Sequence, residues 1–300
     1  MTGMTAAVAT SPRTLIVTGA ASIAVRQPLT GPRRPARVIT ASPAAVYLEL
    51  PPSAAEPRVL VVAAAGTSRL PNAIAVAPAG LDRFVASGPG TGEGWMGRGV
   101  VQFGELTVHV QRWWDPSPVL GPLSRARLEQ GAAALHRACA AASRGPALAG
   151  HDAPAALAAC CSAGDLAGAV EAAERMVGLG LGLIPSGDNM INGLLLGLRL
   201  LGGAISGGTR AVWLADWLGA AVTSDASRRT TSLGATLLHC AARGQAAEEV
   251  SAVLRGLAGQ EPLGPAIRKL LATGQSQGAD LAWGLVAGCR AALALALPSR

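Results

Sequence analysis

A chain of 300 residues, half of them apolar, can bury a sizeable core as one large domain or two ordinary ones, so a disordered tail is excluded. The net charge of +7 comes almost wholly from arginine, Lys269 being the only lysine, and the basic residues are scattered rather than gathered into a stripe. With 3% aromatic residues there are too few rings for base-stacking platforms, and no nucleic-acid partner is expected. Charged residues make up only 14% and mean hydropathy is +0.37, values a membrane protein would share. The two most apolar runs, 189–208 and 279–297, nevertheless carry Arg199 and Arg290 and several glycines, where a spanning helix wants about 20 uninterrupted apolar residues. They read as buried helices, with no membrane partner.

Residues 1–34 read as a partly disordered segment with the first strand; the run Leu15 to Val17, soon broken by Gly19, does not make a secretory signal. Arg33, Arg34 and Arg37 form a small basic cluster that suits a solvated loop better than a phosphate contact. From 35 to 118, short β-branched runs alternate with Pro and Gly: 36–40, 45–50, 58–63, 73–77, 99–103 and 106–110. Val59 to Val62 form a run buried on both faces, while Leu106, Val108 and Val110 alternate with Thr107 and His109 at the strand period. This predicts a β-rich domain, barrel-like or a small sandwich, closed by Trp113-Trp114 and the turn sequence 115–118.

From 119 to 300 the period becomes helical, and the fold class is α+β: a β-rich domain followed by an all-α domain of seven or eight helices. Ser124 is placed to cap a helix carrying Leu128, Ala132, Leu135 and Cys139, and Ser162 with Asp165 has the shape of a capping box for a helix through Val177. The five cysteines, Cys139, Cys160, Cys161, Cys240 and Cys289, show no CxxC spacing and read as small buried hydrophobes in a reducing, cytoplasmic compartment. His109, His136, His151 and His239 lie far apart, so no metal site is expected.

The most informative feature is a repeat at an offset of 91 residues, 186–199 aligning without gaps on 277–290. Gly187, Gly193, Leu194, Gly197 and Arg199 recur as Gly278, Gly284, Leu285, Gly288 and Arg290. In a soluble helix each glycine costs about 1 kcal/mol of propensity, which close packing must offset. The two glycine helices are therefore expected to pack against each other and bring both N-terminal turns together.

Into the first copy runs Gly178-Leu179-Gly180-Leu181-Gly182-Leu183-Ile184-Pro185-Ser186-Gly187-Asp188. Glycines allow φ > 0 turns that aim backbone N–H groups at one point, and a helix start adds a positive dipole end, so the loop suits an oxyanion such as phosphate or carboxylate. The same residues also fit an ordinary turn, with Ser186 or Asp188 capping a helix. The sequence lacks the Walker A, Rossmann and GxSxG patterns. Arg228-Arg229-Thr230-Thr231-Ser232 fits either an anion grip or a solvated helix start.

Taken together, 178–193, Arg229-Thr230-Thr231 with Leu237-Leu238 and Ala241 to Gly244, and 274–284 resemble the signature of the AllH-like family, long carried as a domain of unknown function. Its best-described member is a subunit of oxamate carbamoyltransferase in allantoin catabolism. The family pattern is Gly-Leu-Thr-Pro-Ser-Gly-Asp-Asp, then Thr-Thr with a downstream Ser, then Thr-Ser-Gly-x-Asp. Pro185, Ser186, Gly187, Asp188, Thr230, Thr231, Gly278 and Asp280 are kept, whereas Ile184, Asn189, Gly234 and Gln277 depart from it. Asn189 in place of Asp loses a charge but keeps hydrogen-bonding capacity.

What the resemblance implies is a carbamoyltransferase subunit working with companion subunits on a small ureido or oxamate-type acid, with phosphate or carbamoyl phosphate as substrate. A noncatalytic small-acid or oxyanion-binding partner subunit is the alternative. No cofactor is expected, and no motif supports a magnesium requirement. Such chemistry needs an oxyanion cradle and donors aimed at the carbamoyl oxygen. The expected cradle is Gly178, Gly180, Gly182, Pro185, Ser186 and Gly187, with Asn189, Arg229, Thr230, Thr231, Gln277 and Gly278 around it; Asp188, Asp280 and Ser186 are the expected catalytic residues, the two aspartates orienting amide nitrogens. Gly187→Val is expected to weaken binding far more than Ser186→Ala, because a β-branched side chain disfavours φ > 0 and would intrude on the anion's approach.

Overall fold

The computed structural model describes residues 15–296 except 53, 79, 80 and 82–92. Most of the segment expected to be disordered, residues 1–14, therefore lies outside the described residues; the first strand does not. Eight strands form a closed barrel: β1 Leu15–Ser22, β2 Arg34–Ala41, β3 Ala45–Glu49, β4 Val59–Ala64, β5 Ala73–Val76, β6 Glu93–Gly97, β7 Val100–Phe103 and β8 Leu106–Trp114. Their order around the barrel is β1-β5-β4-β3-β2-β6-β7-β8. The pairs β1/β8 and β4/β5 are parallel and the others antiparallel. A barrel, not a sandwich, thus realises the β-rich expectation.

Inside the barrel, Val46, Leu48, Leu60, Val62, Ile74, Met96, Val101, Phe103 and Val108 form one core, which Leu29 of the short helix α1 (Arg26–Thr30) joins. All six residues of β4 are buried: on its outer face Val61 and Ala63 pack with Ala45, Ala73 and Trp114 of neighbouring strands, and Val59 packs with Leu233 and Leu237 of the helical region. A strand covered on both sides has no polar face to alternate with, which explains its unbroken apolar run. β6 escaped the sequence reading since Glu-Gly-Trp-Met-Gly lacks strand formers; Gly94 is needed there because a Cβ would lie 3.1 Å from Phe103 Cβ and press on the Gln102 carbonyl of β7. The Arg33–Arg37 cluster is not a loop. Arg34 opens β2, Arg37 pairs with Glu49 at 2.6 Å, and Arg33 lies over the Trp95 ring at 4.0 Å.

After the Asp115 turn, where Ser117 N–H donates to Asp115 Oδ1 at 2.8 Å, the chain is helical. The helices are α2 Arg125–Ala141, α3 Ala153–Ala163, α4 Leu166–Glu174, α5 Ser186–Leu196, α6 Thr209–Thr223, α7 Ala226–Arg229, α8 Ser232–Ala242, α9 Glu248–Leu257, α10 Leu263–Leu271 and α11 Gln277–Leu295, more than the seven or eight expected. Ser124 caps α2 as expected, accepting from Arg127 N–H at 3.3 Å. The capping box does not form. Ser162 lies inside α3, its hydroxyl donating to the Ala158 carbonyl, and Gly164 in the left-handed region ends that helix, so Asp165 alone caps α4.

At the centre, α5 and α11 pack backbone to backbone. A Cβ on Gly193 would collide with the Leu281 carbonyl and lie 2.8 Å from Leu285 N. Its repeat mate Gly284 faces Met190 and Leu194 in the same way, with Met190 C at 2.9 Å, and a Cβ on Gly197 would lie 3.0 Å from Gly288 Cα. The repeat is thus a local two-fold pairing of helices, which continues past α5 into a π-helical turn, Gly197–Leu201. α11 is the one described helix long and apolar enough to cross a membrane by length and composition, and 67% of its apolar window is buried inside the fold. The five cysteines are free, four of them buried, and burial pushes the Cys161, Cys240 and Cys289 thiols up to about 12.

Candidate functional site

The loop 178–185 enters α5 through three glycines at positive φ: Gly178 at 76°, Gly180 at 109° and Gly182 at 101°. Its conformation is the one the glycines suggest, but its N–H groups serve the fold. Gly178 N–H donates to Asp188 Oδ1 at 2.8 Å, and Gly187 N–H donates to the Leu179 carbonyl at 2.9 Å. Gly180 folds over the helix start, where a Cβ would lie 2.9 Å from Ser186 N, and Leu181 at the tip is 95% exposed. Two donors of the expected oxyanion cradle are therefore already satisfied within the chain. Pro185 precedes the first turn of α5 and is buried.

Asp188 is fully buried and does not cap its own helix. Besides Gly178 N–H it accepts from the Thr230 hydroxyl, so it ties the loop and the α7–α8 junction to α5. Burial pushes its carboxyl above the usual range, against the pull of those two hydrogen bonds. Gly234 makes room for it: a Cβ there would overlap Asp188 Oδ2 and lie 2.7 Å from Thr230 Oγ1. Gly187 is helical rather than at positive φ; its constraint is packing, since a Cβ would overlap the Met176 carbonyl, whose carbon lies 2.8 Å away. The expected φ > 0 requirement at Gly187 is corrected accordingly. Gly278 in the second copy is held the same way against Leu270 C, at 3.0 Å.

Asp280 is likewise fully buried, and its Oδ1 accepts from Ala147 N–H at 2.9 Å. Burial raises its pKa; the Ala147 N–H and the nearby Ser186 and Ser276 hydroxyls favour the charged form, yet no hydrogen bond closes on Oδ2, which is buried without a partner. The proximity of Ser186 to Asp280 brings the two helix starts together, as the repeat suggests. Thr231 caps α8, accepting from Gly234 N–H at 2.9 Å, and donates to the Leu183 carbonyl at 2.6 Å. Arg229 turns its guanidinium to the Glu174 carbonyl at 2.5 Å, and the Thr230 and Thr231 hydroxyls donate to Asp188 and to the Leu183 carbonyl, so the Arg-Thr-Thr run serves as a helix junction.

The open space lies elsewhere, between barrel and helices. A cleft of about 200 Å³ is lined by Tyr47, Val61 and Ser68 from the barrel side and by Ile184, Glu249 and Gln277 from the helical side. Beside it, sharing Leu70, Ala247, Val250, Gln277 and Leu281, is a crevice of about 30 Å³ lined also by Asn189, Asn192 and Gln245. Of the expected site residues, Asn189 and Gln277 face these cavities; they and Ile184 are positions that depart from the AllH pattern, whereas the kept residues form the framework behind them, buried except for the half-buried Thr230 and Thr231. Asn192 and Gln245 are not among the expected site residues: Asn192 lies inside the repeat without being singled out there, and Gln245 falls just past the Ala241 to Gly244 segment. Among the described residues no group of three or more His, Cys, Asp or Glu side chains is placed to hold a metal ion.

A substitution separates framework from chemistry at Asp188. Asn offers an acceptor to Gly178 and a donor to Thr230, so Asp188→Asn is expected to keep the fold, whereas Asp188→Ala leaves two polar groups unpaired, a loss of about 1–3 kcal/mol. A carboxyl whose folded pKa is raised destabilises the protein above that pKa, and the penalty fades as pH falls towards the unfolded value. The stability advantage of Asn over Asp should therefore be present at neutral pH and shrink on acidification. Denaturant titrations of the three proteins from pH 7 to pH 4 test this, and an advantage that grows in acid would contradict it.

No curated protein and no solved structure matches the chain. Residues 176–289, from the turn before the glycine loop to the glycine seam of α11, match the model of the family described as oxamate carbamoyltransferase subunit AllH, and over this region the chain is AllH-like.

Proposed function

We propose that this protein is a cytoplasmic subunit of a carbamoyltransferase-type enzyme, acting with companion subunits on a small ureido or oxamate-type acid with phosphate or carbamoyl phosphate. The observation that carries the reading is the match of residues 176–289 to the AllH family together with the cavities those residues line beside the barrel. In this reading Asn189 and Gln277 face the ligand. Ser186, Asp188 and Asp280 are positioning residues that hold the two helix starts in place and do not touch substrate.

A second reading, a noncatalytic subunit that binds the small molecule for a catalytic companion, is favoured by the full burial of both aspartates, which leaves neither as an accessible acid or base. Phosphate-dependent formation of carbamoyl phosphate, assayed with the chain alone and with its companions, separates the two. Activity that needs this chain and falls when Gln277 is replaced by Leu supports the transferase reading. Companions equally active without the chain would refute both.

A further inference from the structure

Trp213 and Trp217 belong neither to a hydrophobic core nor to the candidate site. Both rings stand on the outer face of α6, 52% and 55% exposed, packed against each other with centroids 6.2 Å apart. They are two of six tryptophans in a chain with only 3% aromatic residues. Indole carries a large apolar surface and is enriched where proteins meet, so two of them one turn apart on an outer face mark an interaction surface.

The arrangement of the face selects its occupant. At about 100° per residue, Arg210, Trp213, Trp217 and Ala220 fall within about 80° of arc opposite the buried Ala215, and they are spaced symmetrically about it along the helix. A second α6 laid antiparallel on this face, about a two-fold axis level with residue 215, sets Trp213 against Trp217 of the second copy and Arg210 against its Ala220. Beside Trp213 a cleft of about 230 Å³ opens, lined by Gly164, Thr209, Arg210, Trp213, Leu214 and Leu295, at the level along α6 that Trp217 of the second copy occupies. Charge fits as well. Among the described residues Arg210 makes no ion pair or hydrogen bond, so its guanidinium is free to lie on an incoming indole face. The last turn of α6 carries no basic residue, and the exposed, small Ala220 leaves room for that guanidinium to approach the negative end of the second helix. An anionic membrane surface calls for several cations, whereas the only other charge on α6 is Asp216, paired with Arg199.

We infer that α6 is a self-association surface: two copies of the chain pair antiparallel across this face, each Trp217 seated in the cleft beside Trp213 of the other and against its Arg210. A two-fold contact occupies the same patch on both copies, so association stops at a dimer. The inference is independent of the transferase reading and of the cavities beside the barrel.

Sedimentation velocity of the full chain on its own, at loading concentrations from about 1 to about 100 μM, reads the equilibrium. A dimer is expected, and Trp217→Ser, at an exposed position whose change leaves the fold intact by circular dichroism, should weaken it by about tenfold or more. Ala220→Arg sets like charges against each other across the axis and should weaken it similarly. Adding Arg210→Glu to Ala220→Arg restores opposite charges there and should recover the dimer. Positions 210 and 220 are about 15 Å apart within one helix, so that rescue reports contact between copies. A chain that stays monomeric at every concentration would overturn the inference and leave the face to another protein or a lipid surface. A dimer indifferent to Trp217→Ser, or a double variant no better than Ala220→Arg alone, would overturn it too.

Discussion

A single methyl group at Gly193 or Gly284 is expected to destabilise the protein by about 3 kcal/mol or more, at the upper end of what overpacking costs. Alanine would ordinarily improve a helix by about 1 kcal/mol over glycine. Here the added carbon meets backbone: the Leu281 carbonyl and Leu285 N at 2.8 Å for Gly193, and the Met190 carbonyl and Leu194 N at 3.0 Å for Gly284. Backbone cannot rotate away as a side chain can, so the helices must separate along their whole seam. Gly203→Ala is the control. That glycine is exposed, its Cβ would meet nothing nearer than Val212 Cγ2 at 4.0 Å, and the change should be neutral or stabilising by up to about 1 kcal/mol. Urea midpoints decide the matter; a Gly193→Ala protein as stable as Gly203→Ala would show that the seam is not tight.

The second large effect is expected at the junction of barrel and helices. Arg58 and Glu56 form an ion pair at 2.8 Å with both side chains more than nine-tenths buried. Glu56 Oε2 also accepts from Arg58 N–H at 2.7 Å and from the Thr236 hydroxyl of α8 at 2.8 Å, and Thr236 Oγ1 in turn accepts from Val59 N–H at 3.1 Å. Arg58→Met strands a buried carboxylate and should cost about 3–5 kcal/mol, whereas replacing both partners with apolar residues, Arg58→Met with Glu56→Leu, should recover much of that loss. The double-mutant cycle measures the coupling directly by denaturation. An Arg58→Met variant within 1 kcal/mol of wild type would mean that the pair contributes little to joining the two parts.

The features legible in the sequence are those whose constraint is local. Gly193, Gly197, Gly284 and Gly288 announce themselves because each is required by backbone contact at its own position, and the Val59 to Val62 run because both its faces are covered. Strand β6 was hidden, since what makes Glu93–Gly97 a strand is the pairing offered by β2 and β7 rather than any propensity of its own residues. The site shows the same division. Ser186, Asp188, Thr230 and Thr231 stand out as a motif, yet the fold uses Asp188 and Thr230 on each other, Ser186 beside Asp280 and Thr231 as a helix cap, and a sequence cannot tell a hydrogen bond made inward from one made to a ligand. Asn192 sits in the repeat with nothing to mark it as a lining residue and Gln245 lies outside any motif, and only the meeting of α5, the segment after α8 and the barrel loop at Leu70 and Pro71 puts them in one crevice.

The barrel's seam carries a consequence for how the protein is made. β1 pairs on one side with β5, Gly19 opposite Val76, and on the other with β8, Leu15 opposite Leu106. Both neighbours follow it in the chain, so a nascent polypeptide emerging from the ribosome presents its first described strand before either edge exists to receive it. Translation at about 5–20 residues per second makes that wait one of seconds. The β1/β8 seam therefore cannot close before β8 has been synthesised, although it can close while the helical half is still being made, and until then an apolar segment stays open to mispairing.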